Sequence, residues 1–481
     1  MTRQVKPVAK NQIDMTAGPL FINIIRFILP LVATNLLQQF YHAADVIIVG
    51  LSPELDAVGA VGSTGSFLAL IKNIFIGFSV GANIVVARSI GSGDRDKASR
   101  AVHTSICMSF IFGVIGSLLG IALTRPVLVG MGYTGNLLTL AIRYAYIYLA
   151  CMPFLSMTNF LSAILQAQGN TKTSLYVLTS AGILNIVLNL FFVMVVGLSV
   201  EGVAIATAIA NLVSAVALWI YLAKKGNICK ISFRELRVHR EEFVDVARIG
   251  FPAGIQNSLF SLSNIIIQSS ILQVNNAITP PGSTYAPVIK GNAAASDIEA
   301  FIMQALAAIT VAGSAFTAQN VGANNYGRVR RAFGHLLVVS TVLSLSMIML
   351  CMVFRDPLLS LYGIRNTEDI LGSIAYDTAI KRILWKWIPT VFFAIMNACS
   401  GTIRGLGRSS LAAVIAFFST CVFRVLWIYT VFKYFGTLES IYVSYPISWF
   451  LTLVIYFAVI FVMMRKKMRA AETDTVRVGD K

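Results

Sequence analysis

Asp45 is the residue in this chain best placed to do chemistry. It stands in Tyr41-His42-Ala43-Ala44-Asp45, and the apolar run continues past it through Val46-Ile47-Ile48-Val49. A carboxylate inside such a run costs about 2.5 to 3.5 kcal/mol on insertion scales unless it faces protein or a cation. The chemistry it supports there is reversible capture of a proton or a small cation. The alternative is that the apolar segment ends before Asp45 and the side chain is wet. Asn185 and Asn189 are spaced i, i+4 on one helical face, and they either offer amide oxygens to a cation or hydrogen-bond a neighbouring helix. Lys72 lies about fifteen residues into the second apolar stretch. At about 1.5 Å per residue it is near mid-membrane, too deep to reach either surface easily. It needs a partner, and the candidates are Asp45, Asp297 and Glu299. Beside Asp45 its ammonium would compete with a coupling cation.

The elements that must position these residues are set by the solvent. The 481 residues are 57% hydrophobic and 12% charged, with a mean hydropathy of +0.76, which excludes a string of ordinary soluble domains. Stretches of the roughly 20 residues that cross a bilayer fall near 22–49, 58–86, 102–124, 137–164, 173–197, 200–223, 250–273, 298–321, 333–354, 378–402, 410–433 and 439–464. The expected fold is therefore all-α, a polytopic membrane protein of twelve transmembrane helices. Inside the spans, Lys72 is read as essentially the only basic side chain. The polar, basic start, Met1 to Asn11, and the long first span argue against a removable signal peptide.

The net charge of +17 does not point to nucleic acid, because its placement follows the membrane. Lys and Arg gather in the N-terminal tail, at Arg88 to Arg100, Lys224 to Arg248, Arg328 to Arg331, Arg404 and Arg408, and Arg465 to Lys467. With twelve spans all of these fall on one side, and the positive-inside rule puts both termini in the cytoplasm. The loop Arg355 to Arg382, with Arg365, Lys381 and Arg382, fits this least well, since it falls outside. None of the six cysteines forms a Cys-x-x-Cys pair, and they read as small packing residues.

The chain also repeats itself. Ala87-Arg88-Ser89-Ile90-Gly91-Ser92-Gly93-Asp94 reads against Ala318-Gln319-Asn320-Val321-Gly322-Ala323-Asn324-Asn325, a shift of 231. Arg26-x-x-x-Pro30 matches Arg248-x-x-x-Pro252 at 222, while Pro153 matches Pro389 and the turn at Gly169 matches Gly405-Leu406-Gly407-Arg408 at 236. The drift puts extra residues near Thr279 to Ser283 and near Tyr362 to Asp377; the role of the longer outer loop 274–296 stays open. Six spans restore the starting side, so the halves share one orientation, related by a pseudo-twofold axis along the membrane normal with the substrate path between them. The expected division is a tail over 1–20, a six-helix bundle over 21–223, a connector over 224–248, a second bundle over 249–464, and a tail over 465–481. The polar site is not repeated: the same shifts carry Asp45 to Ile267, and Asn185 and Asn189 to Cys421 and Val425.

Several of these segments carry a family resemblance. Met15-Thr16-Ala17-Gly18-Pro19 followed by Pro30, the Ala-Arg-x-x-Gly and Ala-Gln-x-x-Gly blocks, Gln166-Ala167-Gln168-Gly169-Asn170-Thr171, and Gly250-Phe251-Pro252-Ala253-Gly254 together resemble a bacterial MATE (multidrug and toxic compound extrusion) transporter, from about residue 14 to 464. The resemblance implies export of organic cations or drugs in exchange for H⁺ or Na⁺, with no other cofactor. It assigns cation coupling to Asp45, Asn185, Thr207 and the Asn189 position, where many bacterial members carry a second Asp. One carboxylate with neutral oxygens makes a weaker cation site, which shifts the expectation toward a proton. The seventh span lacks the Glu of some relatives, so the ion site is expected in the N-terminal half alone.

The substrate cavity is expected to draw on Gln38, Gln39, Tyr41, Phe67, Lys72, Gln256, Asn257, Glu299 and Asn397, since amides and aromatic faces tolerate varied cations. For any one of them ordinary interhelical packing is the competing reading. No phosphate loop, metal-ligand cluster or nucleophile with a base is present in the sequence. The functional expectation is a secondary antiporter working by rocker-switch alternating access, a monomer in the bacterial inner membrane, its partners small organic cations or drugs and the lipid bilayer. The alternatives are a flippase for lipid-linked intermediates, which needs a strongly cationic cavity, and an intramembrane enzyme, for which Asp45 and Lys72 are a thin catalytic set.

Overall fold

The computed structural model describes residues 12–52, 54, 57–224, 229–278, 286–366 and 369–479. The tail Met1 to Asn11 and the extra residues expected at Thr279 to Ser283 lie outside the described residues. Among the described residues the regular structure is helical throughout. In chain order the rods are α1 Leu20–Val49, α2 Ala57–Ser92, α3 Arg95–Gly130, α4 Gly135–Ala150 with Met152–Ala167, α5 Thr171–Val195, α6 Val200–Ala223, α7 Arg240–Ile278, α8 Pro287–Gly322, α9 Tyr326–Val353, α10 Ile370–Trp387 with Thr390–Gly405, α11 Ser409–Phe435 and α12 Leu438–Lys466. Nine are individually long and apolar enough to cross a membrane, and the bent pairs α4 and α10 make eleven. The twelfth, α7, is 39 residues long but carries Gln256, Asn257, Asn264 and Gln268 among its serines, which lower its hydropathy.

The bends have an identifiable cause. α4 turns by 47° beside Pro153 and α10 by 42° beside Pro389, where a missing N–H and the proline ring interrupt the hydrogen-bond ladder. The two prolines paired in the sequence repeat thus do the same work twice. Two expected loops are shorter than read. The connector is already helical from Arg240, and the outer loop Arg355 to Arg382 contains a helix, Arg355–Leu361, and the start of α10, so Lys381 and Arg382 are helical.

Packing divides the chain into two units. The first comprises Met1–Ser258, Ser314–Val329 and Gly405–Ser410, and the second comprises Leu259–Gly313, Arg330–Arg404 and Leu411–Lys481. In the first unit one core gathers Val86, Phe160, Ile164 and Leu218, and another gathers Val49, Leu68, Tyr144 and Val203. In the second, Ile403, Tyr442, Trp449 and Tyr456 share a core.

Inside the first unit the repeated blocks meet each other. A Cβ at Gly91 would sit 1.9 Å from the Gln319 carbonyl oxygen, and one at Gly322 would sit 2.1 Å from the Arg88 carbonyl oxygen. Arg88 and Gln319 are themselves repeat partners, so the contact is reciprocal, as a twofold requires. Gly93, at φ +77°, is matched by Asn324 at φ +55°, and Asn tolerates the left-handed region. The side chains of Asp94 and Asn325 then cap the following helices by accepting from the backbone N–H of Lys97 and Arg328. Further along α2, a Cβ on Gly77 would lie 2.1 Å from the backbone nitrogen of Gly254.

The shift at the second turn needs correction. Gly169 and Gly407 are the residues in the left-handed conformation, at φ +82° and +83°, and they stand just past helices that end at Ala167 and Gly405. The structural repeat there is 238 residues, not 236. It carries Asn185 and Asn189 to Phe423 and Trp427, so the conclusion that the polar site is unrepeated stands.

The motif segments hold one another. Arg328 Nε donates to the Met15 carbonyl at 3.1 Å and its Nη2 donates to those of Ala17 and Gly18 at 2.7 and 3.1 Å. Asn320 donates to Met15 at 3.0 Å, Gln12 to Gln168 at 2.9 Å, and Gln319 to the Ala167 carbonyl at 2.6 Å. Met15 is fully buried.

Gly91→Ala and Gly322→Ala are each expected to destabilise the protein by about 1–3 kcal/mol, the typical cost of overpacking, because the obstructing atoms are backbone. Gly334→Ala, which meets nothing within 4 Å, is the control and keeps wild-type stability. Thermal unfolding of the purified protein in one detergent reads all three.

Candidate cation site and a buried charge cluster

Three helices of the first unit build one polar cavity. α1 presents Gln38, Tyr41, His42 and Asp45, spaced i, i+3, i+4 and i+7, which puts them on one face. α5 adds Leu178, Ala181, Gly182 and Asn185, and α6 adds Thr207, Ala210, Asn211 and Ser214, around a volume of about 170 Å³. Gly182 is required here: a Cβ would fall 1.8 Å from the Tyr41 ring, whose hydroxyl donates to the Thr179 carbonyl at 3.2 Å.

Asp45 is held by amides. Asn189 Nδ2 donates to Asp45 Oδ1 at 2.5 Å. Turning the Asn185 amide end for end lets its nitrogen donate to the same oxygen at 2.9 Å while its oxygen accepts from the Thr207 backbone N–H at 3.3 Å. Asn189 Oδ1 is buried and has no hydrogen-bond partner among the described residues. The set can therefore act in two ways. With N–H groups toward the carboxylate it stabilises the anion until a proton arrives; with amide oxygens turned inward, Asp45, Asn185, Asn189 and Thr207 are oxygen ligands of the kind a hard cation takes.

The other expected residues are dispersed. Gln39 is on α1 but outside the cavity lining, and Phe67 packs against the apolar core around Val49 and Leu68. Gln256 is buried and Asn257 half-buried on α7. Asn397 lies on α10, where its backbone carbonyl accepts from Thr310 at 3.4 Å. Lys72 is half-buried and makes no ion pair among the described residues. Its field reaches His42, a cavity residue absent from the expected set, although its i, i+3 spacing to Asp45 was visible in the sequence.

Glu299 corrects the sequence reading. Its Oε2 pairs with Arg382 at 2.9 Å and its Oε1 with Lys386 at 2.8 Å, all three side chains being less than a tenth exposed. With Arg424 and Arg404, each 5% exposed, the second unit holds four buried cations among the described residues, so Lys72 is not the lone basic residue within the spans. Arg382 also donates to Asn292 at 2.7 Å and Ser296 at 3.0 Å. The π-helical turn Ile383–Trp387 carries Lys386 and Trp387 inward. The sequence signal was present: Arg382 and Lys386 are i, i+4, and Arg424 shares a helical face with Thr420.

Comparison with known proteins fits this architecture. The MatE family model matches residues 30–191 and 288–430, one stretch in each half of the repeat. The chain belongs to the MatE family. It is 26% identical over 452 residues to the probable multidrug resistance protein YoeA of Bacillus subtilis, covering 92% of this chain and 93% of that one. It is 23% identical over 259 residues to the multidrug export protein MepA of Staphylococcus aureus, covering 54% and 57%. Among solved structures, one reported as the outward-facing conformation of a multidrug resistance MATE family transporter superposes with a TM-score of 0.86 at 20% identity, over 96% of this chain and 100% of that one. A MOP superfamily transporter from Pyrococcus furiosus does so with the same score at 21% identity and the same coverage. This MatE chain therefore has the twelve-helix fold of those transporters.

Asn189→Asp would place a second carboxylate against Asp45. Two carboxylates repel one another unless a cation lies between them, so Na⁺ is expected to raise the unfolding temperature of the variant more than that of the wild type. A Na⁺ titration followed by thermal shift, with K⁺ as the ionic-strength control, checks this.

Proposed function

We propose that this MatE chain is a secondary antiporter that exports organic cations or drugs in exchange for protons, with Asp45 as the coupling group. The observation that carries the reading is the Asp45 cavity, in which one intramembrane carboxylate sits beneath a polar opening with two asparagine amides turned to it. The names of YoeA and MepA supply the substrate class. A proton fits better than Na⁺ because one carboxylate with neutral amide and hydroxyl oxygens makes a weak cation site. Loading Asp45 removes its charge and the reason for the amides to stay turned toward it, and that change biases alternating access between the two faces of the membrane. Gln38, Tyr41 and His42 would meet the exported cation. The protein would work as a monomer in the bacterial cytoplasmic membrane, with both termini inside.

The relatives carry transporter names, which sets the intramembrane enzyme aside. The flippase reading gains one observation, the buried cations around Glu299, but Glu299 and the hydroxyls around it already occupy much of their hydrogen-bonding capacity. Proteoliposomes with imposed H⁺ or Na⁺ gradients and an organic dye cation decide the matter. Asp45→Asn is expected to abolish gradient-driven export while dye binding persists within a few-fold; undiminished export by the variant would overturn the assignment.

A further inference from the structure

The second unit buries more positive charge than its own side chains neutralise. Glu299 has both oxygens engaged, one by Arg382 and one by Lys386, and its single charge faces three cations. Arg424 Nε donates to Ser448 Oγ at 2.9 Å, and its guanidinium lies 4.1 Å from the ring centre of Tyr445 and 5.7 Å from that of Trp449. Its Nη2 is buried with no hydrogen-bond partner among the described residues. Lys386 Nζ is 3.8 Å from the same Tyr445 ring centre, so the two cationic groups are within about 8 Å of each other.

An arginine does not shed its proton in a protein, whereas a lysine can. Neutralising Lys386 would therefore leave Arg424 as it is, a cation inside α11 with aromatic faces and one hydroxyl for company. Cation–π contacts offset part of the desolvation of such a group, but they leave its outward N–H without an acceptor. Among the described residues the surroundings supply no second carboxylate: Ser448 accepts from Arg424 and donates to the Tyr445 carbonyl at 2.8 Å, while Thr452 and Ser419 donate to the carbonyls of Ser448 and Ile415 at 2.7 and 2.6 Å. An anion would satisfy the one guanidinium nitrogen, Nη2, that has no partner among the described residues.

We propose that Arg424, supported by the Lys386 ammonium, binds the carboxylate of an organic solute within the second unit. The guanidinium fork matches a carboxylate, and Tyr445 and Trp449, buried against it, make the apolar surroundings in which such a pair is strong. The site is built from residues of the second unit alone and does not depend on ion coupling at Asp45.

The test uses the purified full-length protein in chloride-free buffer, with benzoate, the neutral benzamide and chloride as probes, read by thermal shift and tryptophan fluorescence. Benzoate is expected to bind saturably and to raise the unfolding temperature, and benzamide to do neither. Arg424→Gln is expected to weaken benzoate at least tenfold, and Arg424→Lys, which keeps the charge but loses the fork, to weaken it less. Equal binding of benzoate and benzamide by the wild type would overturn the proposal, a comparison that needs no variant to fold. So would unchanged benzoate affinity in a folded Arg424→Gln, or protection by chloride with none by benzoate, which would make the occupant an inorganic ion.

Discussion

The structure of the first unit depends on helix backbones that touch. Where Gly91 meets Gln319, Gly322 meets Arg88 and Gly77 meets Gly254, there is no room for a side chain between the rods. In lipid the hydrophobic effect gives helices little reason to associate, so close packing of small residues has to supply the attraction. It fixes α2 against α7 and α8, and the cores around Val86 and Val49 pack outward from α2.

Each unit carries its own polar centre, and the two are unlike. The first unit carries one carboxylate among amides, a centre that changes charge by one when a proton arrives. The second carries, around Glu299, the cations Arg382, Lys386 and Arg424, two of them arginines that cannot relax by losing a proton. Duplication supplied a frame that works in either copy, and the spans were then free to diverge wherever a side chain faces inward. The repeat partners of Asn185 and Asn189 are Phe423 and Trp427, next to Arg424, so the corresponding stretch of the other half took up the opposite charge.

Much of this was legible in residues. Membrane spans are written in runs of apolar side chains, and twelve helices followed from them because the bilayer enforces length. The glycine block and the paired prolines predicted a duplicated frame for the same reason: backbone geometry tolerates few substitutes at close contacts and bends. Asp45 and its two asparagines came together as the family resemblance implied, the i, i+4 spacing of Asn185 and Asn189 putting both amides on one face. What could not be read was partnership between distant spans. Glu299 was visible, but its bonds to Arg382 and Lys386 cross more than 80 residues of chain, and hydropathy assigned Arg382 to a loop because it lies near the end of an apolar run. Arg424 was hidden by the opposite effect, since a strongly apolar window absorbs one charge without ceasing to look like a span.

The clasp formed by Arg328 bears on the order in which the chain can be completed. Its guanidinium grips the carbonyls of Met15, Ala17 and Gly18 across up to 313 residues. At roughly 5–20 residues per second of synthesis, the opening segment waits on the order of 15 to 60 s for its partner to be made. During that interval the first six spans are made, and the opening segment has only its partners around Gln168 and Gly169. The newborn first half is therefore a membrane-inserted but unlatched intermediate, and arrival of the first turn of α9, which carries Arg328, is the event that closes it.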